Sequence, residues 1–361
     1  MEKLSSIEYT DIKYADIKYA DIKYADIEYA DVVLGCSYGD EGKGKVVYDL
    51  LKNNTYDLCI RFNGSGNAGH TIYHNDKKAV LHQIPIGILH NNVTNLISSD
   101  CLIHIDKLKE EINYIKDIGI DISNRLYISK ACHIITDEAI EYDKNTNTIG
   151  TTNSGIGPTY SYKMLRTGKR VEDFKDVFQQ MGIILVDMRK FWFRQPFKKI
   201  LLEGAQGFEL DINWTNQYPY CTSSTCTIAG AINTGIPILK LRNIYGISKM
   251  YDTYVGTRTF QPGNDKHLEL IGTLGKEFGA TTGRKRQCNY FNLDNLKEAL
   301  LINQCNVCII NKVDILEKAN VFKLYHNNTL IEFQNINDMK NYIDNELSFI
   351  TTIYSSNPYK I

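Results

Sequence analysis

The stretch Val32-Val33-Leu34-Gly35-Cys36-Ser37-Tyr38-Gly39-Asp40-Glu41-Gly42-Lys43-Gly44-Lys45 decides the fold. Its first four residues are apolar or small and predict a β-strand, and a helix is predicted to follow the glycines. Glycines let backbone N–H groups come close to an anion, lysines supply positive charge, and the first amides of a helix face the same ligand. The stretch therefore predicts a strand, a phosphate-binding loop and a helix.

This phosphate loop is P-loop-like but differs from an ordinary P-loop. The ordinary motif has four residues between its first glycine and Gly-Lys-[Ser/Thr], whereas here Lys43 is followed by Gly44 and no hydroxyl is available for magnesium. Asp40 is the candidate ligand, because Mg²⁺ prefers carboxylate and phosphate oxygens. A solvated, highly charged turn is the alternative for this loop considered alone.

A five-residue repeat occupies residues 9–31, with units such as Tyr14-Ala15-Asp16-Ile17-Lys18 and Tyr19-Ala20-Asp21-Ile22-Lys23. A period of five matches neither a helix nor a strand, so no face collects the apolar side chains, and the unit is too short for a solenoid. We interpret residues 1–30 as a mobile, low-complexity extension and residues 31–361 as the folded domain. We expect its deletion to leave activity intact.

The composition is that of an ordinary globular protein, with 361 residues, 43% hydrophobic and 23% charged, and a net charge of −1. Near-neutral charge does not support nucleic-acid binding, and no apolar run approaches the roughly 18 residues of a membrane span. No signal-peptide core is visible, so we expect a cytoplasmic protein. We interpret its nine cysteines as reduced thiols, and Cys305-x-x-Cys308 as strand packing and not as a zinc site.

From Asp31 onward, short apolar runs alternate with amphipathic ones, which is typical of an α/β fold. We predict a single large domain with a central, mostly parallel sheet and appended smaller lobes, because about 330 residues exceed the usual size of one core. The predicted strands are Val32–Gly35, Leu58–Phe62, Leu96–Ser98, Leu126–Ser129, Ile200–Glu203, Val307–Ile310 and Phe349–Ile353. The predicted helices include Lys45–Lys52, Ile105–Ile118 and Ile336–Leu347, and residues 70–83 predict a hairpin that turns at Asn75-Asp76.

Four further segments have the composition of a binding site. Each combines glycines with polar or charged side chains, and they are Asn63–Thr71, Gly150–Pro158, Glu203–Gly207 and Ala280–Arg286. Gly150–Pro158 suits a phosphate monoester, and Glu203–Gly207 lies at the end of a predicted strand, where α/β sheets bind ligands. The fourth concentrates three cations, as recognition of a dicarboxylate or phosphate requires.

Each of these segments has an alternative interpretation when considered alone. Glycine-rich stretches can be plain turns, and Arg284 to Arg286 can be a solvated basic surface. A lone His70 is more often structural than catalytic. His70 and His74 have the spacing of a metal pair only on a helix, so in this predicted strand we reject a zinc site.

Asn311-Lys312-Val313-Asp314 directly follows a predicted strand. An aspartate there can accept hydrogen bonds from guanine N1–H and the 2-amino group together, a pattern that adenine does not offer. The motif therefore indicates a guanine nucleotide, and the phosphate loop earlier in the chain strengthens that interpretation.

Together these segments resemble the adenylosuccinate synthetase family. The resemblance runs from about Val32 to Asp314, with a weaker match at residues 354–358. The segments that carry it are Gly39–Lys45, Asn67–Thr71, Gly150–Pro158, Glu203–Gly207, Tyr218–Ser224, Ala280–Arg286 and Lys312–Asp314. Motifs that recur in this order are far more specific than any one of them.

The resemblance implies a ligase of the AMP branch of purine biosynthesis. It joins IMP and L-aspartate through a 6-phosphoryl-IMP intermediate, with GTP as co-substrate, and releases GDP and phosphate. Asp40 would be the base and a ligand of one Mg²⁺ per subunit, together with the carbonyl of Gly69. His70 would act as an acid, Lys43 would neutralise the transferring phosphoryl group, and Gln206 would stabilise the oxyanion of the purine.

The resemblance also implies the substrate-binding residues. Those for GTP would be Gly39, Glu41, Gly42, Gly44, Lys45, Gly69, Thr71, Arg286, Lys312, Asp314, Ser355 and Ser356. Those for IMP would be Asn67, Ala68, Thr152, Arg166, Gln206, Thr222 and Arg284. Those for L-aspartate would be Ala280, Thr281, Thr282, Gly283 and Arg284. In the implied homodimer, Arg166 would reach the neighbouring subunit's site.

The chain departs from the family pattern in a few places. It is shorter than many members between Thr152 and Glu203, Ser154 lacks the charge of a basic residue found in many relatives, and Thr253–Arg258 follows the pattern only loosely. These departures concern aspartate affinity and nucleobase selectivity. Two other hypotheses stay open: a guanine-nucleotide switch, whose GTP turnover would be indifferent to IMP, and a catalytically silent relative.

Overall fold

A nine-stranded sheet organises the protein, whose computed structural model describes residues 25–67, 69–74, 77–146, 149–193, 196–279, 283–358 and 360–361. The strands are β1 Tyr29–Gly35, β2 Leu58–Arg61, β3 His70–His74, β4 Lys77–Leu81, β5 Thr94–Ile97, β6 Leu102–Ile103, β7 Leu126–Ser129, β8 His133–Ile134, β9 Ile184–Val186, β10 Lys199–Glu203, β11 Leu241–Lys249, β12 Tyr251–Tyr254, β13 Gln287–Asn292, β14 Val307–Asn311, β15 Lys323–His326, β16 Thr329–Glu332 and β17 Thr351–Tyr354. The α-helices are α1 Lys43–Asn53, α2 Ile105–Asp117, α3 Asp137–Thr146, α4 Ile156–Leu165, α5 Lys175–Gln180, α6 Met188–Phe191, α7 Ile228–Ile232, α8 Lys266–Leu274, α9 Leu293–Ile302, α10 Val313–Ala319 and α11 Ile336–Glu346.

The central sheet is parallel throughout. Its strand order is β17-β14-β11-β1-β10-β2-β5-β7-β9, and every neighbouring pair runs in the same direction. A four-stranded sheet, β12-β13-β15-β16, and two two-stranded sheets lie beside it. The predicted α/β class, with a mostly parallel central sheet and smaller appended parts, is confirmed.

Strand β1 is an interior strand of the sheet, next to the middle strand β10, and is buried on both faces. Val33 packs in one apolar cluster with Val46 and Val47 of α1, while Val32 and Leu34 pack in another. Successive side chains of a strand point to opposite faces, so this division follows from the apolar run itself. The strand and α1 thereby fix the two ends of the phosphate loop.

All seven predicted strands are confirmed as members of the central sheet, with ends that differ by up to three residues. The three predicted helices are confirmed as α1, α2 and α11, and the predicted hairpin as the antiparallel pair β3 and β4. Its predicted turn, Asn75-Asp76, lies outside the described residues. Strands β9 and β11 of the central sheet were not predicted.

The predicted boundary of the fold at residue 31 is wrong. Tyr29 and Ala30 belong to β1, where Ala30 pairs with both Ile200 and Leu241. Ile27 is 1% exposed in the same apolar cluster as Val32, and the amide of Ala25 donates to the carbonyl of Trp192. The end of the repeat therefore supplies core residues, because its isoleucine and alanine happen to meet the buried face of the sheet. Residues 1–24 lie outside the described residues.

All nine cysteines are free thiols, and Cys305 and Cys308 are buried in an apolar cluster of the core. Within the described ranges, no helix has both the length and the apolar character needed to cross a bilayer.

The topology gathers four of the predicted site segments at one edge of the sheet. The phosphate loop follows β1, Glu203–Gly207 ends and follows β10, Asn63–Thr71 follows β2, and the Asn311–Asp314 motif begins at the end of β14. Because these strands are parallel and near neighbours, their carboxyl ends share an edge, which is where α/β sheets bind ligands.

Candidate active site

The phosphate loop is shaped from inside by the carboxylate of Glu41, which is fully buried. One of its oxygens accepts hydrogen bonds from the amides of Ser37 and Gly39 at 3.2 and 2.8 Å, and the other pairs with Nζ of Lys43 at 2.5 Å. Gly42 then takes the left-handed conformation, with φ of 90°, and α1 begins at Lys43. The loop therefore wraps around its own acid.

The segment after β10 packs tightly against this loop. A side chain at Gly207 would place its Cβ 2.2 Å from the carbonyl oxygen of Ser37 and 2.8 Å from the amide nitrogen of Gly39. Only glycine fits there, and this brings Gln206 next to the loop. Gln206 has a φ of 57°, and its Nε2 donates to Oδ1 of Asn67 at 3.3 Å. Its buried Oε1 has no hydrogen-bond partner among the described residues, so a ligand that can donate a hydrogen bond fits there.

His70 belongs to a buried charge cluster with Glu203 and Arg61. Its Nδ1 lies 2.6 Å from Oε1 of Glu203, and Nη1 of Arg61 lies 2.7 Å from the same oxygen. Burial, followed by the charge of Arg61, lowers the pKa of His70. Burial alone raises the pKa of Glu203, but His70 and Arg61 outweigh it and hold that pKa below its ordinary value. At neutral pH the carboxylate is ionised and the imidazole is neutral, with its Nδ1–H donated to Glu203.

Asp40 forms an ion pair that sequence reasoning did not predict. Its Oδ2 lies 2.9 Å from Nη2 of Arg286, and Nη1 of the same guanidinium lies 2.5 Å from Oε2 of Glu277. The side chain of Asp40 is 35% exposed, whereas that of Glu277 is 1% exposed. Arg286 therefore links a carboxylate at the mouth of the site to one in the core.

The predicted guanine motif and the end of the chain meet the phosphate loop. Nδ2 of Asn311 donates to the carbonyl of Glu41 at 2.8 Å. Nζ of Lys45 donates to Oγ of Ser355 at 2.7 Å and to the carbonyl of Asn357 at 2.9 Å. Burial, joined by the charge of Lys312, lowers the pKa of Lys45 to about 8 against the opposing charges of Asp49 and Asp314.

Asp314 and Lys312 are themselves anchored. Oδ2 of Asp314 pairs with Nζ of Lys318 at 2.7 Å, and Nζ of Lys312 donates to the carbonyl of Gly275 at 3.1 Å. Ser356 is exposed beside the buried Ser355.

The predicted site for the IMP phosphate is braced by Asp143. One oxygen of this buried carboxylate accepts from the hydroxyl of Thr151 and the other from the amide of Gly155, both at 2.9 Å. The loop between them holds Thr152, which is half-buried, and α4 follows it. Nη1 of Arg284 donates to the carbonyl of Gly150 at 3.4 Å, so the two predicted substrate loops touch.

The remaining predicted residues differ in their exposure, and four of them lie outside the described residues. Arg166 is exposed at the C-terminal end of α4, and Thr222 is held to the carbonyl of Leu210 through its amide. Gly283 is exposed, whereas Gly69 and Thr71 are half-buried next to His70 and Gly44 is buried in α1. Ala68, Ala280, Thr281 and Thr282 lie outside the described residues.

Sequence reasoning missed Arg61, Asp143, Lys249 and Glu277, and it gave Glu203 no role. The available signal was a charge at the end of an apolar strand: Arg61 closes the run Leu58-Cys59-Ile60, and Lys249 closes β11. A charge there is expensive unless it is paired, so it indicates a partner but does not say which one.

Comparisons with known proteins point to one family. A family model described as adenylosuccinate synthetase matches residues 32–195 and 193–356. The adenylosuccinate synthetase of Scheffersomyces stipitis is 36% identical over 338 residues, which are 79% of this chain and 78% of that protein. The enzyme of Helicobacter acinonychis is 36% identical over 342 residues, which are 81% of this chain and 80% of that protein.

A solved structure is similar along nearly the whole chain. The fully ligated adenylosuccinate synthetase from Plasmodium falciparum has a TM-score of 0.79 and 28% sequence identity, and the match covers 92% of this chain and 98% of that chain. The family model spans the phosphate loop, the Asn311–Asp314 motif and every segment between them. The chain therefore belongs to the adenylosuccinate synthetase family.

Proposed function

We propose that this protein joins IMP to L-aspartate, with GTP as co-substrate, and forms adenylosuccinate, GDP and phosphate. The observation that carries the proposal is the convergence of Asp40, Gln206, His70 and the Asn311–Asp314 motif around one phosphate loop. A plain guanine-nucleotide switch has no use for the Gln206–Asn67 amide pair. It also has no use for a basic segment whose Arg284 contacts Gly150, in the loop predicted for the IMP phosphate.

Asp40 is the base of the first step. It takes the N1 proton of IMP as O6 attacks the γ-phosphate of GTP, so that a P–O bond to O6 forms and the bond to GDP breaks. The amine of L-aspartate then attacks C6, the C6–O6 bond breaks, and O6 leaves as part of the inorganic phosphate. The carboxylate of Asp40 is 35% exposed, on a loop residue with a left-handed backbone conformation, so a purine can reach it. The carboxylate of Glu41 is buried and is not accessible in this way.

Asp40 also fits a hard divalent cation, since it offers carboxylate oxygens beside the phosphate loop and Gly69 adds a main-chain carbonyl. These two residues would hold the Mg²⁺, one per subunit, and the ion would supply positive charge for the phosphates of GTP. Lys43 and the amides of Gly42, Gly44 and Thr71 bind phosphate oxygens, while the amide of Gly39, which donates to Glu41, holds the loop in its shape beside the nucleotide. The carboxylate of Glu41 faces the loop itself, so Glu41 contacts GTP through its main chain.

His70 becomes the acid when the nucleotide arrives. In this structure its Nδ1–H is held by Glu203 and its pKa is lowered, first by burial. The negative charge of a triphosphate raises that pKa, and the protonated ring then donates from Nε2 to the leaving GDP. Glu203 keeps the ring oriented in both states, as carboxylates do for many functional histidines.

The remaining residues bind the substrates. Gln206 and Asn67 stabilise the charge on the purine oxygen, and Thr152, Thr222 and Ala68 bind IMP. Asp314 accepts from guanine, supported by Lys312, Ser355 and Ser356, while Lys45 and Arg286 bind the nucleotide. Ala280 to Gly283 and Arg284 bind L-aspartate.

A homodimer completes the site, with Arg166 binding the IMP phosphate of the neighbouring subunit. Arg166 follows Met164 and Leu165, whose side chains are 71% and 63% exposed, and apolar side chains exposed in a row support a partner surface there. A cytoplasmic location is part of the proposal and is supported by nine free thiols.

The decisive experiment follows the ultraviolet change of the purine together with phosphate release, while GTP, IMP and L-aspartate are omitted in turn. We expect both signals only with all three substrates and a divalent cation. GTP turnover that ignores IMP and aspartate would instead favour the switch. Binding of GTP and IMP with no turnover would favour the silent relative.

A further inference from the structure

Glu277 is a buried carboxylate to which none of the proposed steps assigns a role. It lies three residues after the end of α8 and its side chain is 1% exposed. The hydroxyl of Tyr251 donates to its Oε1 at 2.6 Å, Nη1 of Arg286 lies 2.5 Å from its Oε2, and Nζ of Lys249 lies 3.6 Å away. Burial raises the pKa of Glu277, but the charges of Lys249 and Arg286 outweigh it and lower the pKa to about 2. Glu277 is thus a fixed negative charge.

The guanidinium of Arg286 is divided between two carboxylates. Its Nη1 pairs with Oε2 of Glu277, and its Nη2 lies 2.9 Å from Oδ2 of Asp40. Exposure falls steadily along this row, from 35% at Asp40 through 12% at Arg286 to 1% at Glu277. The inner contact is therefore in a low-dielectric region and strong, whereas the outer contact faces solvent and is readily exchanged.

A backbone hydrogen bond also joins Glu277 and Arg286. The amide of Arg286 donates to the carbonyl of Glu277 at 3.0 Å, and the amide of Gly279 donates to the carbonyl of Arg284 at 2.8 Å. Glu277 and Arg286 thereby close the base of the loop that carries the proposed aspartate-binding residues. A movement of Arg286 away from Glu277 would open this base.

Asp40 cannot perform its proposed tasks while Arg286 holds it. One carboxylate must face the divalent cation and also the N1 proton of IMP, and each task needs an oxygen. A phosphate of GTP offers Arg286 a better partner than the exposed carboxylate, because guanidinium and phosphate match in geometry and charge.

We propose that Glu277 is a positioning residue that holds Arg286 by Nη1 while its Nη2 is exchanged from Asp40 to a phosphate of GTP. The proposal rests on the proposed role of Asp40. In this structure Arg286 is the counter-ion of Asp40, and a bound Mg²⁺–GTP would replace it. Without the charge of Glu277, Arg286 has Asp40 as its nearest carboxylate and gives it up less readily.

The test is Glu277→Gln, which keeps the size and the hydrogen bond from Tyr251 but removes the charge. Titration calorimetry with a non-hydrolysable GTP analogue and Mg²⁺ should show binding that is weaker by about 10- to 100-fold, with IMP affinity unchanged. Glu277→Asp, which retains the charge, should recover part of the loss. Glu332→Gln, at a side chain 70% exposed and paired with Lys323, is the matched control and should bind the analogue normally.

A double-mutant cycle with Asp40→Asn separates this role from general damage to the fold. Without the carboxylate of Asp40 there is no competitor for Arg286, so Glu277→Gln should then weaken analogue binding by less than about threefold. An equal loss in both backgrounds, or no loss in either, overturns the proposal. The proposed function has a separate test: it fails if the wild-type protein forms no adenylosuccinate, whatever the result of this cycle.

Tyr251→Phe gives a second route if Glu277→Gln does not fold. It removes only the hydroxyl that orients Glu277, and analogue binding should weaken by about threefold. Unchanged binding in a folded Tyr251→Phe protein also overturns the proposal.

Discussion

Asp40 carries the largest share of the proposed chemistry for a single side chain. Its φ of 57° lies in the left-handed region, which asparagine and aspartate tolerate better than other side chains. Asp40→Asn therefore keeps the loop and the shape but removes the base. We expect turnover to fall by about a thousandfold or more, with GTP-analogue binding largely retained.

Steady-state kinetics and calorimetry on the same protein sample check this. Asp117→Asn, at an exposed position of α2, is the control and should behave as wild type. Turnover of Asp40→Asn within tenfold of wild type would remove Asp40 from the role of base.

Asp314 is expected to select guanine, because its carboxylate can accept from two donors of that base at once. Asp314→Asn replaces one acceptor by a donor, so the preference for GTP over ATP should fall by about 10- to 100-fold. XTP should become a better substrate, since the oxygen at position 2 of xanthine accepts from the new amide. The measurement is kcat/KM for the three nucleotides, and an unchanged ranking would contradict the assignment.

Lys45 predicts a pH dependence with a defined direction. Its pKa is lowered to about 8, mainly by burial, so the free protein loses this charge as pH rises through that value. The kcat/KM for GTP reports the free protein and should fall over the same range. Lys45→Arg retains its charge at all of these pH values, and the fall should move above roughly pH 9. A profile that Lys45→Arg does not shift would show that another group is responsible.

Elements of the fold were predictable where their pattern was local. The strands with uninterrupted apolar runs were found, because burial on both faces needs such runs. Strand β11 was not found, because it begins with Leu241-Arg242-Asn243 and contains Gly246. Its polar start is satisfied only in the fold, where Arg242 pairs with Asp31 and the carboxylate also accepts from the amide of Asn243.

Strand β1 shows a different error, since its first residues belong to a repeat whose five-residue period matches neither a helix nor a strand. Ile27 is buried, and the guanidinium of Arg242 lies over the ring of Tyr29, with its Cζ 3.5 Å from the centre of that ring. A chain that begins at Asp31 loses these contacts and the first pairs of β1. We expect it to lose at least about 3 kcal/mol of stability and to melt about 4 °C or more below a chain that begins at Ala25.

Thermal unfolding of the two truncated proteins and the full chain measures this difference. The chain that begins at Ala25 should match the full chain, because it retains every contact just named. Equal melting temperatures for all three would show that residues 25–30 contribute nothing to stability.

At the scale of the whole molecule, the site could be predicted in its parts but not in its connections. The phosphate loop, Gln206 and the Asn311–Asp314 motif are contiguous in sequence and so leave a readable pattern. Arg61 and Glu203 are 142 positions apart. Such a pair becomes recognisable only when the sheet brings β2 and β10 side by side. Glu277 was missed for the same reason, since its role depends on Asp40, in a distant part of the chain.

The proposed homodimer makes the last prediction, because Arg166 and Asp40 of one site would come from different subunits. Arg166→Ala alone should raise the KM for IMP, and Asp40→Asn alone should abolish turnover. If the two proteins are mixed and allowed to exchange subunits, each mixed dimer has one site with both residues intact and one with neither. Random exchange makes half of the dimers mixed, so turnover at an IMP concentration too low for Arg166→Ala should recover to about a quarter of wild type. Arg189→Ala, at an exposed arginine of α6, is the control and should match wild type before mixing. If Arg166 acted within its own chain, every site in the mixture would lack one of the two residues, and mixing would recover nothing.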